Sequence, residues 1–212
     1  MSLLFPNKCI LCGKILERHE TDLCHACRVD SPEYPVRKQK RTFLDSWVAI
    51  WYYKGYIRSS ILRFKFGRAK HYAHGYGRIL AMKLTAEYPE GFDVLTWIPI
   101  SPIRKFFRGY DQVALLAKAV GRELQMEPQR TLRKIRHNRP QAGIRGAAER
   151  RANVLGVYRM AKNADVRDKR ILLIDDVITT GATAGEAARI LLTAGAKEVH
   201  LGCIAAAASD NK

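Results

Sequence analysis

The chain has 212 residues, more than the ~100–200 of one typical domain, so it holds one domain with an appendage or two domains. Its 47% hydrophobic and 27% charged residues are an ordinary globular balance and exclude wholesale disorder. The net charge of +17, from 37 Lys and Arg against 20 Asp and Glu, points to anionic partners: nucleic acid, phosphorylated metabolites or an acidic protein face.

In chain order, Met1–Pro6 lacks the basic and apolar regions of a secretory signal. The longest apolar run, Trp47–Tyr53, falls far short of the ~18 residues that span a bilayer, so no transmembrane segment is expected and the chain reads as cytoplasmic. Four of the five cysteines follow at once, as Cys9-x2-Cys12 and Cys24-x2-Cys27 with 11 residues between the pairs. Each such knuckle aims two thiolates at one centre, and two knuckles make a tetrahedral four-thiolate site of the zinc-ribbon kind. The segment is too short to bury a core alone, so it needs a metal or a cross-link. A reducing compartment favours structural Zn2+; disulfide or redox use is the alternative. His25 reads as a bystander to the thiolates, and Cys203 as a core cysteine.

Ser31–Pro35 and the basic run Arg37–Arg41 read as a linker, dividing a four-cysteine module over 1–40 from a second domain over 41–212. Trp47–Tyr53 predicts a strand. Helical spacing over Ile57–Phe66 predicts a helix, with Phe66 in the core and Lys65 facing phosphate. Further helices are expected over Tyr72–Tyr88, Gln112–Leu124 and Ala182–Ala194, the last ended by Gly195. Strands are expected at Asp93–Pro99, Arg170–Ile174 and Val199–Ala206, with an extended Arg130–Asn138 before a polar stretch. Strands alternating with helices mean βαβ units, hence an α/β fold with a mostly parallel sheet flanked by helices. Charge is concentrated: Ser101–Arg151 holds 13 basic and 4 acidic residues, a net of +9.

The chemistry gathers at Ile171-Leu172-Leu173-Ile174-Asp175-Asp176-Val177-Ile178-Thr179-Thr180-Gly181-Ala182-Thr183. A strand buried on both faces runs into two acids, then a turn of hydroxyl residues and glycine, then a helix. Ligands of open α/β sheets bind at that end of the strands. The turn offers N–H groups, hydroxyls and a helix N-terminus to a phosphate; the acids accept from two vicinal hydroxyls or hold a divalent cation carried by the ligand. Together they suit a ribose 5-phosphate. A plain helix-capping turn is the competing reading.

This run resembles the phosphoribosyl pyrophosphate (PRPP) signature of type I phosphoribosyltransferases. The resemblance implies that Asp175 and Asp176 hold the ribose 2- and 3-hydroxyls, with a catalytic role, and that Thr179, Thr180, Gly181, Ala182 and Thr183 cradle the 5-phosphate. With the cysteine module, with Ile98-Pro99-Ile100-Ser101, Arg104 and Arg108-Gly109-Tyr110-Asp111-Gln112, and with Gln141, Arg150, Arg151, Asn153, Val154 and Gly156, the chain resembles the ComF/GntX family of natural competence and DNA uptake. That resemblance implies a pyrophosphate loop at Ile100 and Ser101 aided by Arg104 and Arg108, and a hood loop carrying Arg136, Arg139 and Gln141. A plain surface loop competes with the first assignment, and a solvated or nucleic-acid-binding basic face with the second. One residue departs from the family's pattern: Asp111 stands where Asn is usual.

The implied activity is PRPP binding with Mg2+, and pentosyl transfer where an acceptor nucleophile is present. The rival class is a non-catalytic protein that keeps the fold while handling single-stranded DNA or docking a competence helicase. Trp51, Tyr52, Tyr53, Tyr56 and Phe64, beside the Arg58–Lys70 basic cluster, are the residues that rival would use for stacking.

Overall fold

The computed structural model describes residues 7–35, 43–136, 138 and 146–208. Its elements in order are α1 (His25–Asp30), β1 (Ser46–Tyr52), α2 (Gly55–Phe66), α3 (Tyr72–Glu87), β2 (Val94–Trp97), α4 (Pro102–Arg108), α5 (Gln112–Leu124), β3 (Leu132–Lys134), α6 (Ala147–Val154), β4 (Tyr158–Met160), β5 (Arg170–Ile178), α7 (Ala182–Thr193) and β6 (Glu198–Ala206). Among the described residues no helix is long and apolar enough to cross a membrane.

Four strands form an all-parallel sheet in the order β1-β6-β5-β2, with β3 and β4 in a separate antiparallel pair. The apolar runs explain the sheet. Along β5, Leu172 and Ile174 join one buried cluster while Ile171 and Leu173 join the other, as side chains alternate across a strand. The first cluster fills the face covered by α2, α3 and α5; the second lies under α7. Both faces of the central strands are dry, so nearly every residue there is aliphatic.

The helix expected over Gln112–Leu124 has those bounds, and the others agree within one or two residues at most ends. Two differences bear on the site. β5 extends through both acids to Ile178 rather than ending before them. A short helix, α4, follows the loop after β2, with Ser101 as its N-cap and Pro102 in its first turn.

The first part of the segment read as a linker packs on the sheet. Tyr34 is buried and its N–H donates to Ile50 O at 2.9 Å, while Glu33 bridges to Trp51. The basic run Arg37–Arg41 lies outside the described residues, and so does the expected boundary at 40/41. Cys9, Ile10 and Leu11 share one buried cluster with Ile57 and Phe64 of α2 and Tyr76 of α3, so the cysteine module packs on this face of the sheet.

Candidate ribose-phosphate site and cysteine centre

The carboxyl ends of β5 and β2 lie side by side: Trp97 pairs with Ile174, and Ile98 N–H donates to Ile174 O at 3.0 Å. Register therefore brings the loop at 98–101 beside Asp175 and Asp176. The two acids face opposite ways along the strand, Asp176 toward α2 and α5. Its carboxylate meets Lys65 Nζ of α2 at 2.8 Å and accepts from Gln112 Nε2 of α5 at 2.8 Å. Burial opposes ionisation of Asp176, but Lys65 and Gln112 outweigh it and hold the carboxyl below the usual range. Asp175 accepts the Asp176 N–H at 2.8 Å. Burial, then the neighbouring Asp176 charge, push Asp175 up to about 8. The pair thus holds one ionised and one neutral carboxyl near neutral pH.

After Ile178 the chain turns through Thr179, Thr180 and Gly181, and α7 begins at Ala182. Gly181 is the N-cap, with φ 78°, a left-handed conformation glycine adopts without strain. Having no side chain, it leaves the cap without a side-chain hydrogen bond. Asp175 and residues 177–184 line a small cleft over this turn. Helix start, turn hydroxyls and acid are therefore contiguous, as an anion-binding loop requires.

Around this core stand cations from two further segments, α4 and β3. Ser101 is buried and its Oγ accepts from Arg104 N–H at 3.3 Å. Arg104 Nη2 donates to Asn138 O at 2.9 Å, and burial, then the nearby Arg108 charge, lower its pKa. Arg108 lies 4.8 Å over the Phe66 ring, and its charge reaches Asp176. Lys134, at the end of β3, lies 5.4 Å over the Tyr158 ring; burial and then Arg104 bring it down to about 8, while Asp175 favours its charge. The structure thus gathers Asp175, Asp176, Ser101, Arg104, Arg108 and the Thr179–Thr183 turn around one end of the sheet. Arg136 points elsewhere, donating to Leu155 O at 2.7 Å. Arg139 and Gln141 lie outside the described residues.

Asp111 has a structural explanation. It is the N-cap of α5: its Oδ1 accepts from Val113 N–H at 3.1 Å and Ala114 N–H at 3.0 Å. Its carboxylate also accepts the Ile100 N–H, tying the 98–101 loop to α5, and burial raises its pKa. Asp and Asn cap helices about equally well, so the departure from Asn preserves this joint.

Lys65, Gln112 and Lys134 complete the site; Lys65 was read as facing phosphate, Gln112 only as part of the family motif, and Lys134 was not singled out. Lys65 meets an acid rather than standing open for phosphate, and Phe66 is 63% exposed rather than in the core. Lys65 and Gln112 reach Asp176 across 111 and 64 residues, separations at which no local pattern gives a signal. The sequence signal for Lys65 was its place at the end of a basic helix, which did not name its partner.

The four module thiols Cys9, Cys12, Cys24 and Cys27 lie within 4.8 Å of one another, with Cys12 and Cys24 Sγ 3.7 Å apart. A tetrahedral centre with metal–sulfur bonds of about 2.3 Å has edges of about 3.8 Å, so the set fits a metal such as zinc. None of the four is in a disulfide, and exposed His25 stands outside the cluster. Burial opposes the Cys9 thiolate, but backbone hydrogen bonds from Cys12, Cys24 and Leu11 outweigh it and lower the thiol to about 7. Cys203 is fully buried in the core.

The family described as Phosphoribosyl transferase domain matches residues 115–212, which hold β5, the acid pair and the α7 turn. Competence protein F of Haemophilus influenzae is 26% identical, covering 95% of this chain and 97% of its own length. Competence protein ComFC of Bacillus subtilis is 28% identical over 88% of this chain and 72% of that protein. The chain is thus similar to these competence proteins over most of its length. Its sheet domain has the type I phosphoribosyltransferase-like fold. A solved structure titled as the allosteric regulatory enzyme of purine biosynthesis is 21% identical with a TM-score of 0.44; the match covers 67% of this chain and 29% of that one. The residues matched by the family model exclude the cysteine module, Lys65, Arg104 and Gln112.

Proposed function

We propose that this protein binds PRPP, or another ribose 5-phosphate ligand, at Asp175, Asp176 and Thr179–Thr183, and acts in competence-linked DNA uptake. One observation carries the site: an acid pair, one member ionised against Lys65, directly precedes a glycine-capped turn at a helix start. The competence role is supported by the names of the relatives. In this reading Asp176 accepts from a ribose hydroxyl as a carboxylate, and neutral Asp175 both donates and accepts. Thr179, Thr180, Gly181, Ala182 and Thr183 bind the 5-phosphate. Ile100, Ser101, Arg104 and Arg108 face the pyrophosphate; Arg139 and Gln141, outside the described residues, are proposed for the hood, and Arg136, bonded to Leu155 O, is set aside from it. Mg2+ arriving with the donor would neutralise pyrophosphate charge. Transfer would proceed by loss of pyrophosphate from the anomeric carbon toward Arg104 and Arg108, with the cationic sugar stabilised by the Asp176 carboxylate.

The module is proposed to hold one structural Zn2+ at Cys9, Cys12, Cys24 and Cys27, closed by four thiolates and so without an open catalytic position. The division into a module over 1–40 and a phosphoribosyltransferase-like domain over 41–212 is part of the same proposal.

Calorimetric titration with PRPP and Mg2+, with ribose 5-phosphate as control, tests the reading. Metal-dependent micromolar binding that is lost in the Asp175→Asn/Asp176→Asn protein is the expected result. No binding of either ligand contradicts it.

A second reading, a DNA-handling or helicase-docking protein without turnover, is favoured by α4. That helix buries none of its residues; Phe106 and Phe107 are 83% and 82% exposed beside Arg104, Lys105 and Arg108. Exposed rings among cations suit stacked bases of single-stranded DNA. The aromatics expected near Arg58–Lys70 are less suited: Trp51 and Phe64 are core residues, and Tyr52 and Tyr53 are half-buried.

A further inference from the structure

Helix α2 touches both centres. At its middle, Ser60 Oγ donates to Ile10 O and Arg63 Nη2 donates to Leu11 O, the two residues between the knuckle cysteines Cys9 and Cys12. Near its end, Phe64 O accepts from Tyr110 OH, and Lys65 Nζ meets Asp176. Ile57, Ile61 and Phe64 bury its inner face in the cluster that also holds Cys9, Cys24 and Cys27. Among the described residues no other ion pair reaches Asp176, and the side chains of Lys65 and Asp176 are 17% and 9% exposed. A charge pair this secluded fixes the atoms it joins, because separating them leaves a buried charge unpaired.

We propose that α2 couples the cysteine centre to the acid pair: the knuckle carbonyls of Ile10 and Leu11 hold α2 in place, and Lys65 positions Asp176. Metal occupancy of the module thereby sets the order and ligand affinity of the 175–183 segment. Lys65 acts through Asp176 and is a positioning residue. The ligand arm of this inference rests on the PRPP reading; the coupling itself does not. Coupling of this kind requires two sites and one element whose placement both sense, and α2 is that element.

Hydrogen exchange on the full chain, metal-loaded and chelator-stripped, tests the coupling with no ligand present. Stripping is expected to speed exchange in 55–66 and in 172–183 of the wild-type protein. In Lys65→Met the 172–183 segment exchanges fast even when loaded, stripping adds little more there, and 55–66 still responds. Lys65→Arg is expected to restore slow exchange, which a mere packing role would not. A Lys65→Met protein with wild-type exchange at 172–183, or an equal response to stripping in both proteins, overturns the proposal. Should Lys65→Met fail to fold, Ser60→Ala/Arg63→Met cuts the other joint, and unchanged 172–183 exchange there overturns it equally. With PRPP and Mg2+, stripping should weaken wild-type affinity about tenfold and Lys65→Met affinity far less. A loaded wild-type protein that ignores PRPP while showing the exchange pattern overturns the PRPP reading and leaves the coupling standing. PRPP binding without the exchange pattern does the reverse.

Discussion

The thiolates of the cysteine centre come from one stretch, Cys9 to Cys27, while the groups around Asp176 come from α2, α5 and β5, up to 111 residues apart. The first centre is a local motif whose four thiols fit a metal. The second is assembled by the sheet: parallel pairing of β2 with β5 and the packing of two helices bring a lysine, a glutamine and two acids together. The two also differ in charge logic. The cysteine centre gathers four like groups at a spacing that fits a cation, whereas Asp176 already has its counter-ion in Lys65.

That contrast can be broken or sharpened by experiment. The largest effect is expected at the cysteine centre. Cys24→Ser should lose the metal and unfold the module, since a four-thiolate centre supplies about 10 kcal/mol or more of folding energy in small zinc domains. Because the module shares its core with α2 and α3, the whole chain should melt lower by roughly 10 °C, read by calorimetry with metal analysis. A metal-free variant melting like the wild type would mean that the two regions are independent.

Next in size, Asp176→Asn leaves the Lys65 ammonium unpaired and should cost about 3–5 kcal/mol in urea unfolding. Asp176→Asn/Lys65→Met should recover much of it, because both charges are then gone.

The pH dependence is smaller and has two opposed parts. Asp175 is raised to about 8 in the folded chain from 3.8, so the unfolded chain releases its proton first as pH rises. Its contribution therefore falls between about pH 4 and pH 8. Asp176 is lowered, so its contribution is present above the unfolded value and is lost as pH falls. Melting temperatures across this range should flatten in Asp175→Asn, and a profile like that of the wild type would contradict the charge division.

The smallest effect is at the α5 cap. Asp111→Ala should cost about 1 kcal/mol and Asp111→Asn only a few tenths, measured by the same unfolding. A large loss in Asp111→Asn would mean that the carboxylate charge, not the cap, is what the site uses.

Legibility follows locality as well. The cysteine set, β5 and the α7 turn were readable because each lies in one stretch with a clear period or spacing. Helix α5 was readable through its amphipathic repeat, with Asp111 just ahead of it. Strand β3 falls inside the stretch read as extended, Arg130–Asn138, but helices α4 and α6 and the three-residue strand β4 were not readable, because they are short and polar or lack a buried stripe. In α4 the Ser101-Pro102 start and Gly109 end were a usable signal; its apolar side chains face outward, against the rule that finds helices. Lys65 and Gln112 were hidden for another reason: their partner is set by tertiary packing alone.

The most direct test of the central claim is an amide NMR map of the metal-loaded chain titrated with PRPP and Mg2+. The account predicts saturable shifts at Asp175, Asp176 and Thr179–Thr183, with smaller ones at Ile100 and Ser101 and none at the distant groove between Arg133, Arg159 and Ile190. Shifts confined to that groove or to α4, with the 175–183 amides unmoved, would contradict it.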